Sequence, residues 1–190
     1  MTNTSKSVLL VMDVQNRIVE MMGNNEGYLN DLEQAVAAAR KANIPVMYVV
    51  LGFREGLPEI SPTNKRFETL KSSGFAFTAS DPGTAIHPKV SPQAHDYIIT
   101  KKRVSAFAGS DLEIMLRVMK IEHLILTGLA TSGVVLSTLR EAADKDFKIT
   151  VLSNACGDRD EEVHHVLVNK IFPAQAEVLT TEAWAAGLNK

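Results

Sequence analysis

The chain has 190 residues, of which 45% are hydrophobic and 22% charged, with a formal net charge of -2. This is the size and composition of one folded domain, read here as residues 1–190, and it excludes a disordered chain. With no basic or acidic run there is no electrostatic footprint for nucleic acid or an anionic membrane, and the single Cys156 excludes an intrachain disulfide and a multi-cysteine zinc site.

The opening MTNTSKSVLLVMDVQ carries a short apolar run, Val8 to Met12, closed by Asp13. It is too short and too charged for a signal peptide or a membrane span, so a cytoplasmic protein without a membrane partner is expected. A continuous apolar run of this length reads as a strand buried on both faces of a parallel sheet. Residues 28–42 place Leu29, Leu32, Ala35, Val36, Ala39 and Ala42 at helical spacing, and residues 45–51 form a second buried strand.

Residues 53–92 are irregular, rich in Gly, Pro, Ser and Thr, with one short helix around 64–70. Connections this long are usually functional, so this one is expected to cover a site or meet a neighbouring subunit. Beyond it come a strand at 96–100, a helix at 110–119, a strand at 123–127 and a helix at 131–145. A strand at 148–152, a helix at 160–171 and a strand at 177–180 complete the series. Strands alternating with helices predict an α/β fold, a three-layer Rossmann-like arrangement with a six-stranded, mostly parallel sheet.

In such sheets ligands bind beyond the carboxyl ends of the strands. Asp13, Lys101 and the small-residue turn Leu129-Ala130-Thr131-Ser132-Gly133 all fall there. Each also has a plainer reading. Asp13 can bond nearby amides at a strand end, Lys101 belongs to a Lys-Lys-Arg run of the solvated kind, and Thr131 or Ser132 suits a helix N-cap.

Together the pieces resemble the isochorismatase-like hydrolases, also called the cysteine hydrolase superfamily, which includes nicotinamidases and N-carbamoylsarcosine amidases. The matching segments are Asp13-Val14-Gln15, KKRVSAF at 101–107, TGLATSG at 127–133 with LSTLREAAD at 136–144, and NACGDRDEEVH at 154–164. The resemblance implies a hydrolase whose site combines an acid, Asp13, and a cation, Lys101. In amidase members a cysteine nucleophile completes the set, and here that position is Val134, which can neither attack a carbonyl nor carry an acyl group. Cys156 lies after the fifth strand without an adjacent base, and Ser132 is two residues from the required place.

Opening a vinyl ether needs only a general acid and water, so Val134 favours that reaction, or another acid/base hydrolysis, over amide hydrolysis. Burial would raise the Asp13 pKa and Lys101 would lower it, which leaves Asp13 open as acid or as base. By the same resemblance the Leu129-Ala130 peptide is cis. Unpaired amides of the turn from Ala130 and Thr131 to Val134 are then expected to bind a carboxylate or oxyanion.

Arg54, just past the second strand, suits either a substrate carboxylate or a salt bridge to Glu55 or Glu59. Gln15 is placed facing the pocket. The five histidines show no metal-ligand spacing, and no Asp-x-His segment of the nicotinamidase kind follows the second strand, so neither metal nor other cofactor is expected. The partner expected is a small, carboxylate-bearing metabolite, and the resemblance implies a homo-oligomer, dimer or tetramer. A second reading stays open, that of a catalytically silent member that binds a metabolite or a protein.

Overall fold

The computed structural model describes residues 6–23 and 25–188. Its strands are β1 (Ser7–Met12), β2 (Val46–Leu51), β3 (Tyr97–Lys101), β4 (His123–Leu129), β5 (Lys148–Gly157) and β6 (Glu177–Leu179). They form one six-stranded sheet in the order β3-β2-β1-β4-β5-β6, with every neighbouring pair parallel. Helices cover both faces, which is the three-layer α/β arrangement the alternation of elements predicts.

Alternate residues of β1 serve opposite layers, as the two-residue repeat of a strand requires. Val8, Leu10 and Met12 join the core beneath α4 (Leu112–Val118) and α5 (Leu136–Asp144). Leu9 and Val11 join the core beneath α2 (Glu26–Lys41) and α7 (Thr181–Gly187). The stripe Leu29, Leu32, Val36 and Ala39 fixes which face of α2 turns inward. Asn25 caps its start by accepting the Tyr28 N–H, while Arg40 and Lys41 sit at the negative end of its dipole.

The helices depart from the expected ones in their ends. Residues 131–145 open with a wide π turn, Thr131–Val135, before α5 begins. Residues 160–171 divide into α6 (Glu161–Val166) and a second wide turn, Leu167–Ile171. The sequence reading contains neither α7 nor α1 (Asn16–Met21), helices of 7 and 6 residues. Among the described residues no helix is long and apolar enough to cross a membrane.

Strand order sets the position of the site. The chain leaves β1 toward β2 and β3, then returns to lay β4 on the other side of β1, so the carboxyl ends of β1 and β4 flank the point where the crossovers part. Here β4 runs so close to β1 that a Cβ on Gly128 would lie 2.2 Å from the Met12 carbonyl oxygen, and Gly128 itself has φ 141°. Only glycine fits this crossing.

Residues 53–92 fold back over that end. They carry a small core of their own, in which Phe53, Ile60, Phe67 and Phe77 are buried and the Phe53 and Phe67 rings meet edge to face at 5.7 Å. The expected short helix is α3 (Lys65–Ser72), capped by Asn64.

Candidate active site

Asp13 ends β1 with φ 58°, a left-handed conformation that aspartate tolerates better than most residues. Its own N–H donates to the Val49 carbonyl at 2.7 Å, which locks the bend. The carboxylate meets Lys101, the last residue of β3, with 2.9 Å between Oδ2 and Nζ. Lys101 is 2% exposed and also donates to the Arg103 carbonyl at 2.9 Å. The acid and the cation of the sequence reading therefore sit side by side, out of water.

The second carboxylate oxygen, Oδ1 of Asp13, has no hydrogen-bond partner among the described residues. Loss of hydration raises the Asp13 pKa above its usual value of 3.8, and this outweighs the downward pull of Lys101, Arg66 and the Leu51 main chain. Desolvation therefore wins between the two directions left open by the sequence, because the ion pair lies in a site with almost no solvent to stabilise the ionised form.

Asp13 and Lys101 open onto a cavity of about 410 Å³. Its walls are largely apolar: Ile18 and Met21 come from α1 and Met22 from just past its end, Phe67 and Leu70 from α3, and Phe75, Phe77 and Val104 from the loops. The long irregular segment thus covers the site. Across the cavity lie Leu129, Ala130, Ser132 and Val134 of the turn, with Asp158 and Arg159 after β5. This volume and lining suit a metabolite-sized ligand.

The Leu129-Ala130 peptide is cis. The amides of the turn are not the open set expected from a helix start. Ser132 N–H donates to Asp158 Oδ2 at 2.7 Å, and the Gly133 and Val135 N–H groups donate to the Ala130 carbonyl at 3.0 and 3.3 Å. A wide turn directs amides back to one carbonyl instead of outward, and a neighbouring carboxylate already fills the anion position at Ser132. Thr131 does not line the cavity. It is fully buried, and its hydroxyl meets His164 Nδ1 at 2.8 Å.

Two further assignments need correction. Gln15 is 0% exposed and lies outside the cavity lining. Its amide nitrogen donates to the Leu51 and Thr84 carbonyls at 2.9 and 2.8 Å, and its oxygen accepts the Leu51 N–H at 2.9 Å, so it is a strut between β1, β2 and the covering segment. Arg54 also lies outside the lining, with its exposed guanidinium 2.7 Å from Glu59. The salt-bridge reading holds, because Glu59 is five residues away on the same loop.

Two arginines line the cavity instead, Arg159 after β5 and Arg66 on α3. A Cβ added at Gly133 would come within 3.4 Å of the second guanidinium, so Arg66 reaches across to the turn. Sequence reasoning missed it because only the folding back of residues 53–92 brings it there. Arg159 and Asp158 were equally unmarked, although both lie in the quoted segment at 154–164.

Val134 is 2% exposed and lines the cavity with Asp13 and Lys101. Cys156 does not. It is packed in the core on β5, where burial pushes its thiol up to about 12, far from a reactive thiolate. Among the described residues no three His, Cys, Asp or Glu side chains converge as metal ligands.

Comparison with known proteins agrees with this fold. The family description "isochorismatase domain" matches residues 7–183. An uncharacterized isochorismatase family protein of Bacillus subtilis is 28% identical over 177 residues, covering 93% of this chain and 91% of its own. A ureidoacrylate amidohydrolase of Yersinia enterocolitica is 32% identical over 177 residues, covering 80% of this chain and 75% of its own. The crystal structure of a cysteine hydrolase from Pseudomonas syringae pv. phaseolicola superposes with a TM-score of 0.90 at 21% identity, over 98% of this chain and 94% of that one.

Proposed function

The chain belongs to the isochorismatase family of hydrolases, and we propose that within it this protein opens a small carboxylate-bearing vinyl ether by acid–base catalysis, without a cysteine nucleophile. The observation that carries this reading is the buried Asp13–Lys101 pair facing a cavity that Val134 lines and that no thiol lines among the described residues.

Lys101 can only donate hydrogen bonds, so Oδ2 of Asp13 acts as the acceptor. A proton on Asp13 therefore resides on Oδ1, the oxygen without a protein partner. A vinyl ether with its terminal carbon at this oxygen takes the proton there and leaves a cation on the ether carbon. Water adds to that carbon, and the resulting hemiketal breaks into a carbonyl compound and an alcohol. None of these steps needs a covalent bond to the protein. Arg66 supplies a two-pronged donor for the substrate carboxylate, and the apolar wall keeps bulk water from the reacting atoms.

The amidohydrolase relative acts on a ureidoacrylate, as its name states. A covalent route of that kind requires a thiol at the cavity, and the thiol of this chain is buried elsewhere. This supports reading the substrate as a vinyl ether instead of an amide.

The test uses isochorismate and a panel of small amides with the wild type, Asp13→Asn, Lys101→Ala and Arg66→Gln. Turnover of isochorismate is expected, with kcat lowered about 100-fold or more by either change to the pair. Arg66→Gln is expected to raise KM about tenfold with kcat retained, the loss of one charged hydrogen-bonding contact. A wild type inert toward every compound would overturn the reading in favour of a silent binding protein. Amide turnover that survives Asp13→Asn would overturn it as well.

A further inference from the structure

Two carboxylates line the cavity among the described residues, Asp13 and Asp158, and the steps above use only the first. Asp158 follows β5 and stands on the turn side of the cavity, across from the covering segment. Its Oδ2 accepts the Ser132 N–H at 2.7 Å, and its Oδ1 accepts the Asp160 N–H at 3.5 Å. Both partners are main-chain amides. Each leaves a lone pair free on the same oxygen. Unlike Asp13, Asp158 is only half-buried. One cavity thus presents a buried carboxyl group and a half-buried one held by two main-chain amides.

We propose that Asp158 is the general base for the attacking water, the counterpart of Asp13 as acid. The inference rests on the vinyl-ether reading above. The balance of the reaction closes on these two groups. Asp13 Oδ1 gives its proton to the terminal alkene carbon, whose π pair forms the new C–H bond. A water oxygen then bonds to the cationic ether carbon while Asp158 takes one of its protons. In the hemiketal the C–O bond to the leaving group breaks, its electron pair stays on the leaving oxygen, and Asp158 returns the proton to that oxygen. The hemiketal hydroxyl gives its proton to Asp13 as the carbonyl forms. One water is consumed and both carboxyl groups are restored.

Charged groups around Asp158 come from three directions. Arg66 reaches over from α3, Arg159 adjoins it, and Glu161 and His164 lie on α6. His164 is held below its ordinary pKa chiefly by burial and next by His165, with Asp158 and Glu161 opposing. It is the neighbouring titratable group that a His164→Gln control removes.

The test is the pH dependence of kcat/KM on isochorismate for the wild type, Asp158→Asn and His164→Gln. Asparagine retains an oxygen that accepts the Ser132 N–H but cannot take a proton from water, so a purely structural Asp158 would tolerate the change. Expected are a kcat about 100-fold lower in Asp158→Asn with KM within a few fold, and loss of the acid-side fall of the wild-type profile. That fall should persist in His164→Gln. Wild-type kcat in Asp158→Asn, or an acid limb that survives in it, overturns the assignment while leaving Asp13 as the acid. A wild type that does not turn over isochorismate, or an Asp13→Asn as fast as wild type, overturns the underlying reading and this one with it.

Discussion

On the proposed reading Val134 separates amide from vinyl-ether chemistry, because an aliphatic side chain lining the cavity with Asp13 offers that carboxyl group nothing to deprotonate. The substitution Val134→Cys tests this directly. A small electrophile such as iodoacetamide is expected to label one thiol in the variant and none in the native wild type, whose Cys156 is buried. Weak turnover of an amide in the labelled variant's untreated form would accompany it. An inert thiol at 134 would mean that the turn does not present this position to the cavity. Asp13 and Lys101 were legible in the sequence because each directly follows or closes an apolar run, and strand ends are where a parallel sheet puts its ligands. Arg66 was not, since nothing about Asn64-Lys65-Arg66-Phe67 distinguishes it from a solvated helix start. Arg54 looked better placed only because sequence proximity to β2 stands in poorly for the path of a 40-residue excursion.

At the scale of elements, the sheet positions Asp13, and the buried amide of Gln15 is one of the ties that hold the cover over it. Gln15 bonds Leu51 in both directions and Thr84 once, and the chain at Gln15 bridges to Ile86. In Gln15→Ala the Leu51 N–H and two carbonyls lose buried partners, and destabilisation of about 3 kcal/mol is expected from urea unfolding. A change under about 0.5 kcal/mol would mean that the strut carries no weight. All six strands were readable in place, because runs such as Val8 to Met12 and Val46 to Leu51 are buried on both faces and stay apolar from end to end. But β5 runs on to Gly157, past the expected end at 152, through the polar Ser153 and Asn154. The turn after β4 was readable in place but not in form. A wide turn and an α-helical start share the same composition, and only the coordinates show that Ala130 and Asp158 already take three of its amides.

At the scale of the molecule, the fold brings residues 13, 66, 101, 134 and 158 to one end of the sheet from five separate stretches of chain. The strand order cannot be read from the sequence, which shows only that strands and helices alternate. Yet that order, with β1 between β2 and β4, sets Asp13 at the point where the crossovers part. The covering segment then removes water, and with it the solvation that would keep Asp13 ionised beside Lys101. As pH rises through the raised pKa of Asp13 the acid loses its proton, so activity that depends on it must fall on the alkaline side. The direct measurement is a carboxyl ¹³C NMR titration of aspartate-labelled protein, with the Asp13 signal assigned from Asp13→Asn. A midpoint above 3.8 in the wild type is expected, moving higher still in Lys101→Met, where the opposing cation is gone. A wild-type midpoint below 3.8 would show that the ion pair outweighs burial and that Asp13 does not serve as the acid.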